Sequence, residues 1–229
     1  MFHRLFFTSL LIGGSLLFLA LFGSHLEPMI RSNVATQKFL IWVNSPFSSQ
    51  KVNAEDLDEM RREPLQAQRG TLPSPSKKVW ELTLNETTEA QLADWIRHRK
   101  IACSKSSKGY NYIKCKKVPL VALGLPYVNS FAELDFTIDA HNRLIFVGLL
   151  HRQLETVKAL SLLENISASL NSRLGSPSRS PASLTPEELD HSLEALSYEY
   201  KFKDYIARVT ASKLSTTGII LYEQHIYIP

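Results

Sequence analysis

The chain has 229 residues, 44% of them hydrophobic and 21% charged, with a formal net charge of +4. Arg97, Arg99, Lys100, Lys105, Lys108, Lys114, Lys116 and Lys117 put eight positive charges between 97 and 117 with no acid among them, so the rest of the chain sums to −4. That distribution excludes a generally cationic surface, and the length suits one domain of ordinary size or two small ones.

Residues 5–22 (LFFTSLLIGGSLLFLALF) form an uncharged run of eighteen behind Arg4. As a helix the run spans roughly 27 Å, close to a hydrocarbon core of about 30 Å. A transmembrane signal anchor is expected, with residues 1–4 in the cytoplasm. The competing reading is a cleaved signal peptide, but the exit Leu19-Ala20-Leu21-Phe22-Gly23 lacks small residues in an A-x-A-like pattern. Arg4 on one flank and Arg31 with Lys38 on the other nearly balance the positive-inside count. Cys103 and Cys115 break that tie, because an even pair in an exported body suggests a disulfide.

Residues 23–78 read as an extracytoplasmic juxtamembrane segment and linker. The apolar string Phe39–Val43 fits a strand or a membrane-interface segment, and 44–78 is polar and interrupted by Pro64, Pro73 and Pro75. An α+β domain is expected over 79–229. It opens with a half-buried strand at 79–84, whose alternation puts Val79, Glu81 and Thr83 on one face and Trp80, Leu82 and Leu84 on the other. Thr88-Glu89-Ala90-Gln91 is a capping-box signature, and Leu92, Trp95 and Ile96 share one helical face behind it. Strands follow at 109–115, 131–138 and 143–150, with Asp139–Asn142 supplying turn chemistry.

Leu154, Val157, Leu160, Leu163, Ile166, Leu170 and Leu174 then predict a long helix whose apolar stripe faces a core, closed by Gly175. Residues 175–185 (GSPSRSPASLT) read as a flexible loop. Thr185-Pro186-Glu187-Glu188 starts a short helix through Leu189, Leu193 and Leu196, and strands near 200, 208 and 222 complete the chain. The layout is one helix and three strands, twice. The expected result is a shared, mainly antiparallel sheet with helices packed on one face.

Chemistry-bearing patterns are sparse. Cys103 and Cys115 would close a loop of about a dozen residues, worth on the order of 3 kcal/mol by the chain-entropy account. Lys105, Lys108, Lys114, Lys116 and Lys117, with Tyr110 and Tyr112 between them, would make a basic ribbon for an anionic lipid headgroup or polymer. The same pattern describes a solvated edge strand. Ser74 and Lys77 have a Ser-Lys dyad spacing but sit in a proline-rich stretch, and no standard nucleophile, metalloprotease or phosphate-loop motif occurs. Asp135 and Asp139 suit turn and edge roles better than paired-carboxylate catalysis. His98, His141, His151, His191 and His225 are scattered singly, so each reads as surface or structural. The sequons at Asn85 and Asn165 matter only in a eukaryotic chain.

No catalytic residue, metal centre or cofactor is expected. The leading expectation is a single-pass inner-membrane protein, held to lipid by residues 5–22, whose periplasmic domain is an envelope interaction or assembly module with a protein partner. Alternatives are a secreted or periplasmic product after signal cleavage, a binding module for an anionic lipid or polymer through 97–117, and an unrecognised envelope hydrolase. Nucleic acid is not an expected partner for a domain outside the cytoplasm.

Overall fold

The computed structural model describes residues 54–125, 131–190, 195–214 and 218–229. The expected anchor at 5–22, the string at 39–43, His191 and residues 215–217 of the last turn lie outside the described residues. Among the described residues no helix is long and apolar enough to cross a membrane. Residues 51–229 form one compact unit.

The expected α+β architecture, with a large antiparallel sheet, is what forms. In chain order come α1 (Ala54–Gln66), β1 (Lys78–Val79), β2 (Leu82–Thr83), α2 (Glu89–His98), β3 (Cys103–Lys108) and β4 (Tyr110–Pro119). A 3-10 turn (Leu120–Leu123) precedes β5 (Phe131–Ile138) and β6 (Leu144–Leu154). Then follow α3 (Thr156–Leu174), α4 (Pro186–Asp190), β7 (Leu196–Lys201), β8 (Tyr205–Leu214) and β9 (Gly218–Tyr227). Seven strands form one sheet in the order β3-β4-β5-β6-β9-β8-β7, antiparallel at every step. The meander β3–β6 meets the meander β7–β9 where β6 pairs with β9. The second half is the expected helix and three strands; the first has β3 as a fourth.

Local chemistry sets several boundaries. Thr88 Oγ1 accepts from the Gln91 N–H, and the Thr88 N–H donates to Gln91 Oε1 at 2.8 Å, so the capping box starts α2 as its residues predict. Asp139 Oδ1 accepts from the N–H groups of His141 and Arg143 at 3.0 and 2.8 Å, closing the β5–β6 turn. Gly175 ends α3 with its N–H on Asn171 O.

Period-2 alternation gives the sheet two faces. Leu134 and Phe136 of β5, Val147 and Leu149 of β6, Leu221 of β9, and Ala207 and Val209 of β8 point to one side. They share a single core with Leu163, Ile166 and Leu170 of α3 and with Leu92 and Trp95 of α2. Each such leucine, isoleucine or phenylalanine contributes about 1.5–3 kcal/mol by leaving water.

Three expectations are corrected. The single strand at 79–84 is a turn between two short strands, because Trp80 takes a left-handed φ of 54° and reverses the chain. Val79, Leu82 and Leu84 are consequently all buried. Leu196 opens β7 opposite Ala211 and so does not belong to the short helix, which is described over Pro186–Asp190. The helices do not all lie on one face: α1 crosses the opposite one. Leu65 packs there with Ile206, Ile226 and Ile228, Asp58 accepts a hydrogen bond from Tyr110 Oη, and Arg61 donates to the carbonyls of Ile145 and Tyr227.

Residues 54–78 therefore belong to the fold, although they read as linker. Gly70 N–H donates to Phe202 O at 3.0 Å, Lys203 N–H to Leu72 O at 2.7 Å, and Ser74 N–H to Asp204 Oδ1 at 2.8 Å. A Cβ on Gly70 would stand 2.2 Å from Lys201 O, so the approach requires glycine. The 175–185 loop is likewise pinned, with Ser178 and Arg179 bonded to the backbone of Glu199 along the outer edge of β7.

Candidate functional site

The predicted site residues converge at one edge of the sheet. β3 and β4 form a hairpin with Cys103 directly opposite Cys115, and the two are joined in a disulfide with Cα atoms 4.0 Å apart. Cys115 is fully buried, whereas all six residues of β3 are exposed. The five lysines differ in their partners. Lys105 pairs with Glu89, and Lys114 lies 3.3 Å from Glu133 and 3.7 Å from Asp135. Lys108, Lys116 and Lys117 are exposed, with Lys117 at a bulge where the β4–β5 register shifts.

Two of the scattered histidines come together, which spacing along the chain could not show. His151, Glu223 and His225 project from β6 and β9 onto the core face beneath α3, and Tyr205 of β8 joins them. Tyr205 Oη stands 2.6 Å from His225 Nδ1, and His225 Nε2 stands 2.8 Å from Glu223 Oε1. The arrangement fits one tautomer: the tyrosine hydroxyl donates to Nδ1 and Nε2–H donates to the carboxylate. Burial works to raise the Glu223 carboxyl, but the bond from His225 and the positive charge of Arg173 outweigh it and bring it below its ordinary value. Burial pushes the His151 imidazole down to about 4, the nearby Glu223 charge opposing in part. Its Nε2 has no hydrogen-bond partner. Tyr205, His151 and His225 are each at most 2% exposed, so the network is a polar seam in the core. His98 and His141 stay on the surface. Among the described residues no group of three acidic, histidine or cysteine side chains is placed to hold a metal.

A shallow cleft of about 320 Å³ opens beside α2, lined by Glu81, Leu82, Thr83, Glu86, Thr87, Gln91 and Trp95. Trp95 is sandwiched there: its ring stacks on Trp80 at 5.7 Å, the Arg99 guanidinium covers it at 4.2 Å, and its edge meets Phe136. Glu81 Oε2 accepts from Trp95 Nε1 at 2.9 Å and from Arg99 Nη2 at 2.6 Å. The indole bond, helped by Arg99, holds the Glu81 carboxyl below its ordinary range. With Trp95 only 7% exposed, the cleft offers a ligand little aromatic surface.

The outer face beyond α1 is different. Three rows cross it: Tyr112–Thr137–Phe146; Lys114–Asp135–Gly148–Gln224–Arg208–Glu199; and Glu133–Leu150–Tyr222–Thr210–Ser197. Apart from buried Gly148, Tyr112, at 37% exposed, and Glu199, at 8%, these residues are half-buried. Its charges are matched internally. Arg152 reaches Glu133 at 2.9 Å, and Lys201 and Arg208 each reach Glu199 at 2.9 Å. The Arg152 bond lowers the Glu133 carboxyl; for Glu199, burial opposes and the three nearby cations prevail. Burial, aided by the negative Asp135, pushes the Tyr222 hydroxyl up to about 12. The sequence signal for this face was the isolated glycine in RLIFVGLL, which marks a close approach in a strand.

No family profile and no curated protein matches the chain. A crystal structure of a DUF4309 family protein (YjgB) from Bacillus subtilis is similar at a TM-score of 0.30 and 11% identity, covering 76% of this chain and 98% of that one. A likeness that slight carries no argument about fold or function.

Proposed function

We propose that this chain is a membrane-tethered extracytoplasmic module for interaction or assembly in the cell envelope, fastened to lipid by residues 5–22 and engaging a protein partner. The Cys103–Cys115 bond carries this reading, since cross-links of this kind persist in oxidising compartments and are rare in the cytosol. The uncharged run at 5–22 supports it independently. Intact mass of the native product from membrane fractions, alkylated with and without reductant, is the test. Retention of residues 1–22, with thiols alkylated after reduction alone, is the expected result. A dissolved product whose two thiols alkylate without reductant contradicts the reading. Crosslinking in intact cells followed by pull-down should then return a protein partner.

A second reading, attachment to an anionic envelope component, is favoured by the exposed lysines of the clamped hairpin. Substituting Lys108, Lys116 and Lys117 by Gln should weaken binding to phosphatidylglycerol liposomes and flatten its salt dependence. Lys105→Gln and Lys114→Gln should change it little, because those charges are already paired. Equal loss from both sets removes the assignment.

A further inference from the structure

We propose that the open part of the outer sheet face is a docking platform for a neutral polysaccharide. Its centre is Gly148. A Cβ there would meet Tyr222 Oη at 2.8 Å, Tyr222 Cε2 at 3.0 Å and Phe146 Cε1 at 3.1 Å. Two rings thus close over the glycine backbone and build an aromatic floor in mid-sheet, where neither is needed by the core on the other side. Tyr112 extends the floor in the same row as Phe146, two strands away and roughly 10 Å across. Asp135 and Gln224 flank Gly148 in its own row, one on each neighbouring strand.

This combination selects a ligand chemistry. Aromatic rings carry a negative face, to which the weakly positive C–H bonds of a sugar ring are complementary. The carboxylate of Asp135 accepts from hydroxyls, and the Gln224 amide, which already bonds the Tyr222 hydroxyl, keeps further donor and acceptor capacity. Each of the four basic side chains of the face, Lys114, Arg152, Lys201 and Arg208, is already held by one of its three carboxylates, so none stands free to grip a charged polymer. A protein partner is a poorer match, because the centres of protein interfaces are depleted of charge while Lys114 and Asp135 share the central row here. An added peptide strand is a poorer match too, since it needs an open backbone edge and this surface is a face. The inference rests on the extracytoplasmic half of the proposed function, the compartment in which such polymers are met.

The test uses the full-length oxidised chain in detergent micelles and calorimetric titration with neutral hexasaccharides of β-1,4-linked glucose, β-1,4-linked N-acetylglucosamine and α-1,4-linked glucose. Hexagalacturonate serves as the acidic comparison. Saturable binding of a neutral hexamer is expected, weakened about tenfold by Tyr222→Ala and by Asp135→Asn and retained by Tyr222→Phe. Gly148→Ala should weaken it as well by lifting both rings. Circular dichroism melting separates loss of binding from loss of fold, and Asp135→Asn and Tyr222→Phe add no bulk to the face. The assignment is overturned if no neutral hexamer binds the folded chain, if hexagalacturonate binds more tightly, or if Tyr222→Ala and Asp135→Asn leave binding unchanged. None of these outcomes depends on where the protein resides, so failure here leaves the mass measurement of the tether and disulfide to stand or fall separately.

Discussion

The two faces of the seven-stranded sheet solve opposite problems with the same alternating strands. Under α2 and α3 the face is a continuous apolar core, and its polar exception is the Tyr205–His225–Glu223 chain with His151 nearby, buried except for the Glu223 carboxylate, whose side chain is 12% exposed. Across from it α1 covers one end of the sheet, and the remainder pairs its charges in rows and leaves rings and hydroxyls within reach of solvent. Tyr205, His151 and His225 on the core side lie out of a solute's reach. The polar groups on the open side are placed to meet one.

The largest contrast between the faces should come from adjacent residues of one strand. Phe136→Ala, on the sealed side against Trp95, is expected to cost about 3–5 kcal/mol in urea unfolding, and Thr137→Ala, on the open side, no more than about 0.5 kcal/mol. Comparable losses would mean that the open face is a second core. Acid should expose the sealed network next. The His151 pKa is lower folded than unfolded, so the unfolded chain binds the extra proton first and stability falls as pH drops from about 6.5 toward 4. A shift to about 4 corresponds to about 3 kcal/mol across that window. His151→Gln should flatten that limb; Lys158 and Glu223 are the charges facing it. Glu223, held below its ordinary value, contributes stability that disappears at still lower pH, when its folded form takes up a proton.

A smaller effect tests whether α1 is part of the fold. Leu65→Ala, at the patch with Ile206 and Ile228, should cost about 2 kcal/mol, measured by the same unfolding curves. No change would return residues 54–66 to the linker expected from their composition. The smallest expected effect is local: Thr88→Ala removes a cap from α2 and should cost about 1 kcal/mol, read from thermal melts.

Elements whose signals are local were legible in the residues themselves. Thr88 and Gln91 mark the start of α2, Asp139 to Asn142 mark a turn, and the spacing from Leu160 to Leu174 marks α3 and its buried side, although the first two residues of the expected stripe fall off it, Leu154 ending β6 and Val157 standing 75% exposed. The cysteine pair also announced its bond, since Cys103 and Cys115 flank a hairpin whose strands bring them opposite one another. α1 escaped notice because its thirteen residues carry charge on most positions and dock chiefly through Asp58, Arg61 and Leu65, whose partners lie dozens of residues downstream. The turn at Trp80 was hidden because alternation along six residues cannot reveal a single left-handed residue.

What the sequence determined by itself was the class of fold, the strand and helix boundaries that rest on nearby residues, and the disulfide. Tertiary structure alone decided which face each strand residue meets, because a polar residue in an alternating strand is equally compatible with a sealed network or an open surface. It placed His151, Glu223 and His225 on the core face, and Asp135, Gly148 and Tyr222 on the outer one. The physical reason is that burial and charge pairing depend on neighbours supplied by other strands, and the register that delivers them is a property of the whole sheet.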